Sequence, residues 1–514
     1  MPTVRRNSCE KIMGFGETVA KMQRVTIDRI SELPEFILHT ILVMLDPKEA
    51  GRASVLSKRW YEAWSSIPVL NFQLQYFTTS MEVDFYERGM AQRLMRFIDK
   101  TMQRYFTEKY KITEMYLAVA IDDKKTATLV DKWIMIAVQN PIQKLEIEFF
   151  GRYDYMLPEI LFCAKSLKYL KCSTFCLPYY ETMDLPSLEY LTLNQGLVDV
   201  DMLHKIISFC PLVELYMTSS RDHENDSLPW MGKVNGGAEG RGSGTMQAPL
   251  LKKFVGYGYC AGLLSHMVAL KSLKKLELEC APITDDILSE LVYGLVALET
   301  LVLIDCSPLK CIKISSNSLK QFRIEEGSDL MEVTIDTPNL LEFSYNCEME
   351  ISLSLISVLD HCNAQFCPLV EDSVNTVWFL RLKKFLIEMN LFNSLVMDLW
   401  QATGIEVEMD QLRNDVTGPS YKLKELKLCE ISVWEFNRFY LKAFLDGLFW
   451  CCHPDVLSTR LHTLDANKLI LDILKRKVQC WKHPLRSVEV EGVDCSNLFS
   501  ESSDIEVRFR LSWF

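Results

Sequence analysis

Apolar positions along this chain repeat one short phrase: Leu, two residues, Leu, one residue, then a third apolar side chain. The fullest copy is Leu298, Leu301 and Leu303, followed by Cys306. Further copies begin at Leu188, Leu212, Leu273, Leu319, Leu340 and Leu423, and weaker ones at Ile112, Ile142, Leu167, Leu330 and Leu485. The second and third apolar positions lie two apart, so they share one face of a short strand, and the first turns inward where the chain enters it. Neighbouring copies start 25 residues apart (142 to 167), then 21 (167 to 188), 24 (188 to 212), 25 (273 to 298) and 21 (298 to 319). Each unit leaves an apolar edge that only the next can cover, so the pattern predicts stacked, strand-bearing repeats.

A period of 20–29 residues with an L-x-x-L-x-L phrase marks leucine-rich repeats, so the fold expected here is an α/β repeat solenoid. The small side chain at the Cys position fits inside the turn of such a stack, and that structural role is read for Cys306 and, one place early, for Cys280. Two stretches interrupt the array. Arg221 to Pro249 holds six glycines and reads as a flexible loop. Asp360 to Asp372 reads as a second soft region ahead of a helix-prone stretch, Leu380 to Thr403.

Ahead of the repeats the period changes to that of helices. Pro34/Leu38/Leu42 and Ile37/Ile41/Leu45 form two adjacent apolar rows at i, i+4 spacing. Asp46 before Pro47 reads as an N-cap, Pro34 and Pro47 suit first-turn positions, and Ser57 caps or breaks before a third helix carrying Trp60 and Trp64. Three short helices with this much apolar surface cannot cover all of it themselves, which argues for a partner.

Composition narrows the function. The 514 residues carry a net charge of −12 and no run of five Lys/Arg, so nucleic acid is not expected as the main partner. No apolar run reaches the roughly 18–20 residues of a bilayer span, and the first 25 residues lack a signal-like core, so a soluble chain of the cytoplasm and/or nucleus is expected, with no membrane partner. The 17 cysteines are odd in number and scattered, which favours reduced thiols. No G-x-S-x-G elbow, dinucleotide G-x-G-x-x-G or phosphate-binding G-x-x-x-x-G-K-[ST] occurs. His361-Cys362 with Cys367, and Cys451-Cys452-His453, lack paired zinc spacing and read as buried thiols near loop histidines. No catalytic residue, metal or cofactor is expected.

The segment Asp28-Arg29-Ile30-Ser31-Glu32-Leu33-Pro34 through Leu45, followed by Val55-Leu56-Ser57-Lys58-Arg59-Trp60, resembles the F-box over about 40 residues. With the repeats after it, the chain resembles the plant F-box/LRR family, and Trp481 with Leu485 to Val490 is loosely similar to the FBD region of some members. The resemblance implies a three-helix F-box joined to a leucine-rich-repeat solenoid. It also implies the non-catalytic substrate receptor of an SCF-type cullin ubiquitin ligase, with the alternative of an interaction scaffold without a ubiquitination role. The partners implied are a Skp-family adaptor, through it cullin and RING subunits, and a target protein.

Carried over position by position, the adaptor-facing candidates are Leu33, Pro34, Ile37, Leu38, Ile41, Leu42, Leu45, Val55, Leu56 and Trp60, some of which must pack the trio internally. Positions beside the strand leucines nominate a concave target face that includes Tyr216, Glu277, Glu279, Arg323, Glu325 and Asp336. Its acids outnumber its bases, so a mildly basic target is expected. The expected layout is a tail (1–25), the F-box (26–70), a first repeat block (105–220), the Gly-rich loop (221–249), a second repeat block (250–359) and C-terminal repeats and helices, FBD-like in part (360–514).

Overall fold

The computed structural model describes residues 30–73, 88–218 and 247–513, with breaks at 31, 152, 259–260, 326–328, 358–361, 370–372, 399–403, 415–419, 430–437, 461–463, 476–484 and 492–506. The expected tail at 1–25, Trp481 and nearly all of the Gly-rich loop lie outside the described residues. The chain divides into two units, Met1–Pro68 and Val69–Phe514.

In the first unit three helices follow one another closely: α1 (Glu35–Met44), α2 (Pro47–Ala53) and α3 (Lys58–Ser65). The Asp46 carboxylate accepts from Glu49 N at 2.9 Å and caps α2, and Ser57 Oγ accepts from Trp60 N at 3.3 Å and caps α3. Leu38, Leu42, Ala50, Trp60 and Ala63 form the buried centre, with Leu33, Ile41, Ala53, Trp64 and Ile67 packed around it. Burying each of the two leucines stabilises the trio by about 1.5–3 kcal/mol.

The second unit is organised by a 17-stranded sheet. Strands run parallel from Val69–Phe72 and Glu114–Ala120 through Lys144–Phe150, Tyr169–Ser173, Tyr190–Asn194, Glu214–Thr218 and Lys253–Tyr257. They continue through Lys275–Glu279, Thr300–Ile304, Gln321–Glu325, Glu342–Asn346, Asn363–Phe366, Ser394–Asp398, Tyr421–Cys429 and Cys452–Arg460. Register is kept from strand to strand. Leu170, Leu191, Leu215, Phe254, Leu276, Leu301, Phe322 and Phe343 stand side by side and are all buried.

Strand after strand ends in a left-handed residue. Thr174, Gln195, Gly258, Cys280 and Asp305 take positive φ, and each donates its N–H to the last carbonyl of the next strand, at 2.7–3.0 Å. Chain reversal is thus built into the hydrogen-bond ladder itself.

Several expectations change here. Helices such as Val200–Phe209 and Asp285–Gly294 lie between successive strands, but between 311 and 355 strands replace them, giving a second parallel sheet of Cys311–Ser315, Glu332–Asp336 and Ser352–Leu355. The Leu330 copy belongs to this second sheet. The cause is that Ile312/Ile314 and Val333/Ile335 alternate inward just as the main-sheet residues do. The Asp285 carboxylate marks the handover, accepting from Lys310 N at 2.9 Å and Cys311 N at 3.1 Å at the edge of that sheet.

The soft region at 360–372 contains a main-sheet strand, because Ala364 and Phe366 are fully buried. The helix-prone stretch ends early, at Met389, where Asn390 turns left-handed, and gives way to the strand Ser394–Asp398. The Leu485 copy is no parallel repeat either: Leu485–Glu491 pairs antiparallel with Val507–Trp513.

Candidate functional site

The three-helix unit sorts its apolar residues into two sets. Leu38, Leu42 and Trp60 are 0%, 1% and 5% exposed, so these three adaptor-facing candidates hold the trio together and cannot present a surface. Leu33, Ile37 and Ile41 are half-buried, and Pro34, Leu45, Val55 and Leu56 are exposed. Val55 and Leu56 stand in the α2–α3 turn with 84% and 70% of their surface in solvent.

The pattern-based reading missed Phe36, Val43 and Met44, which are also exposed. The signal for them was present in α1, which is apolar on nearly all sides, more than packing within its own unit covers. Two hydrogen bonds brace this surface. The Arg59 guanidinium donates to the Leu33 carbonyl at 2.6 Å, fixing the Leu33–Pro34 turn, and His39 Nε2 pairs with Ser66 Oγ at 3.2 Å.

From Tyr190–Asn194 to Glu342–Asn346, residues one, three and five of each main-sheet strand face out and form straight rows across it. Tyr216, Glu277, Glu279, Arg323 and Glu325 all sit in these rows. Asp336 does not, since its strand belongs to the second sheet. The excess of acids among the nominated residues is diluted on the whole face, because the strand starts add Lys144, Lys253 and Lys275.

Lys275 pairs with Glu277 at 2.6 Å, Lys144 pairs with Glu146 at 3.0 Å, and Arg323 pairs with Glu325. Lys144 Nζ also lies 5.1 Å from the Tyr116 ring centre and 4.8 Å from that of Tyr169. Burial works against the Lys144 charge, but bonds to Glu146 and Tyr116 outweigh it and raise its pKa. Lys253 repeats the motif over Tyr216, whose hydroxyl donates to Glu214 at 2.8 Å. These clusters leave part of the open face electrically balanced.

The thiols behave as packing. Cys306 Sγ donates to the carbonyls of Leu278 and Ile304, both at 3.5 Å, and burial pushes its pKa up to about 11. Burial raises Cys451 and Cys452 as well, and the neighbouring His453 ring stacks on Trp513 at 4.3 Å. His361 lies outside the described residues. Among the described residues no three His, Cys, Asp or Glu side chains gather as a metal site would require, and no helix is long and apolar enough to cross a membrane.

Comparison with known proteins agrees with this architecture. The F-box family model matches residues 30–72, and a leucine-rich-repeat model, described as At1g61320/AtMIF1, LRR domain, matches 263–449. The chain thus carries an F-box followed by a leucine-rich-repeat domain. Its relatives are plant F-box/LRR and FBD-associated F-box proteins. The F-box/LRR-repeat protein At4g15060 of Arabidopsis thaliana is 31% identical over 206 residues, 39% of this chain and 46% of the relative. The FBD-associated F-box protein At4g13985 of the same plant is 28% identical over 202 residues, 38% of this chain and 42% of the relative. The chain therefore spans less than half the length of these curated relatives.

Proposed function

We propose that this chain is the substrate-recognition subunit of an SCF-type cullin ubiquitin ligase. Its F-box takes a Skp-family adaptor, through which cullin and RING subunits are recruited, and its repeats take a target protein. The observation that carries this reading is the second apolar set on the three-helix unit. Phe36, Val43, Met44, Leu45, Val55 and Leu56 are exposed although the unit already has a complete core, and exposed apolar surface of this kind marks an interaction site. The chain itself does no chemistry. It raises the local concentration of target lysines near a ubiquitin-charged enzyme held elsewhere in the assembly. It works in the cytoplasm, the nucleus or both.

The test is co-purification of the full chain with a Skp-family adaptor, beside a Val55→Asp/Leu56→Asp double variant. Both substituted side chains are exposed, so the variant keeps its fold. Complex with the wild type and its loss in the variant is the expected result. A well-folded wild type that captures no adaptor would sink the proposal. Cullin recruitment by the complex then separates a ligase receptor from a bare scaffold.

A further inference from the structure

Three rows of outward side chains cross the main sheet, and they differ in charge. The row at the strand starts includes Lys144, Lys253 and Lys275, each engaged by a carboxylate or a tyrosine of the same face. The row at the strand ends includes exposed or half-buried Glu148, Asn194, Tyr257, Glu279, Ile304 and Glu325, and from Glu148 to Asn346 it contains no base.

Within that row the strand Thr300–Ile304 stands apart. It turns two β-branched aliphatic side chains outward, Val302 and Ile304, between charged strands on both sides. On one side lies Glu279 and just beyond Ile304 lies Asp305. Among the described residues neither carboxylate has an ion-pair partner, whereas Glu277 and Glu325 beside them are already matched. Tyr257 flanks Glu279 on the far side. An aliphatic floor flanked in register by Glu279 and Tyr257, with exposed Asp305 at the strand's end and no ion-pair partner for either carboxylate among the described residues, is complementary to a long cationic side chain. The methylene stem of Lys or Arg covers the floor while its charged head meets the carboxylates.

We infer that the window formed by Tyr257, Glu279, Val302, Ile304 and Asp305 is where the repeats read their target, and that the segment it takes carries a Lys or Arg beside an aliphatic residue. This rests on the receptor reading above in taking the sheet face as the target surface, and adds the chemistry of what is taken.

Random-sequence peptides displayed on phage, selected on the full chain, test the window directly. Enriched peptides are expected to place Lys or Arg within two residues of Ile, Leu or Val. Their affinity should fall about ten-fold on Glu279→Gln/Asp305→Asn, roughly the loss of one well-formed charge contact. It should fall on Ile304→Ser as well, and stay unchanged on Glu148→Gln, a carboxylate of the same row on a remote strand. Circular dichroism checks that each variant is folded. Acidic or uncharged winners, unchanged affinity in both window variants, or no enrichment from a chain that captures the adaptor would each overturn the inference. Basic peptides bound by a chain that captures no adaptor would support the window and overturn the ligase reading alone.

Discussion

At the scale of the residue, small differences in space decide what is tolerated. The ring of Phe175 lies where a Cβ on Gly196 would sit, 2.4 Å away. Gly196→Ala should therefore destabilise the second unit by about 1–3 kcal/mol through overpacking, read as a lower urea midpoint. Leu38, with no exposed surface, is the matching case in the helical unit. Leu38→Ala should cost about 2–5 kcal/mol and abolish adaptor capture by unfolding the trio, whereas Leu56→Asp should abolish capture with the far-ultraviolet spectrum unchanged. That contrast separates two leucines that the sequence places in one group. Thiol accessibility gives a third check. Cys172, Cys451 and Cys452 are wholly enclosed and burial raises their pKa values, so they should resist a thiol reagent until denaturant is added.

At the scale of the element, charge works along the edge where strands begin. Glu299 bonds Lys274 at 2.8 Å and Lys320 at 2.9 Å, linking three successive repeats. Those bonds bring its pKa down from 4.5 to about 2. A carboxyl depressed in the folded state contributes stability that is full above its unfolded pKa and fades as pH falls through the folded one. The gap in urea midpoint between wild type and Glu299→Gln should be constant at neutral pH, then close between about pH 4.5 and about pH 2.

The repeat elements were legible in the sequence wherever strand and period coincided, as at Leu273, Leu298, Leu319 and Leu340. Several strands escaped, two of them for a definite reason. The phrase entering Lys253–Tyr257 reads Leu251, Phe254, Gly256, and the one entering Ser394–Asp398 reads Phe392, Leu395, Met397, so neither displays the expected three leucines. The second sheet was the opposite failure. Its strands carry the same alternation as the first sheet, and a one-dimensional pattern does not say which side of the stack a strand lies on. For the F-box, the caps and the third helix were plain, but which leucines face inward depends on how α1 rests on α3.

At the scale of the whole molecule, the second unit behaves as a line of neighbours, since each strand of the array pairs with those of adjacent repeats and long-range order is passed along by contact. The strands meet without slipping from Tyr169–Ser173 to Glu342–Asn346. That constancy of register has a consequence for descent with modification. Outward positions form a grid, one column per repeat and three cells per column, and a change in any cell leaves the buried residues behind it where they were. On the receptor reading proposed above, recognition can then be rewritten cell by cell, at almost no cost in folding, while the F-box is left as it was. A lineage that copies such a gene obtains a new reader by a handful of exchanges on one face.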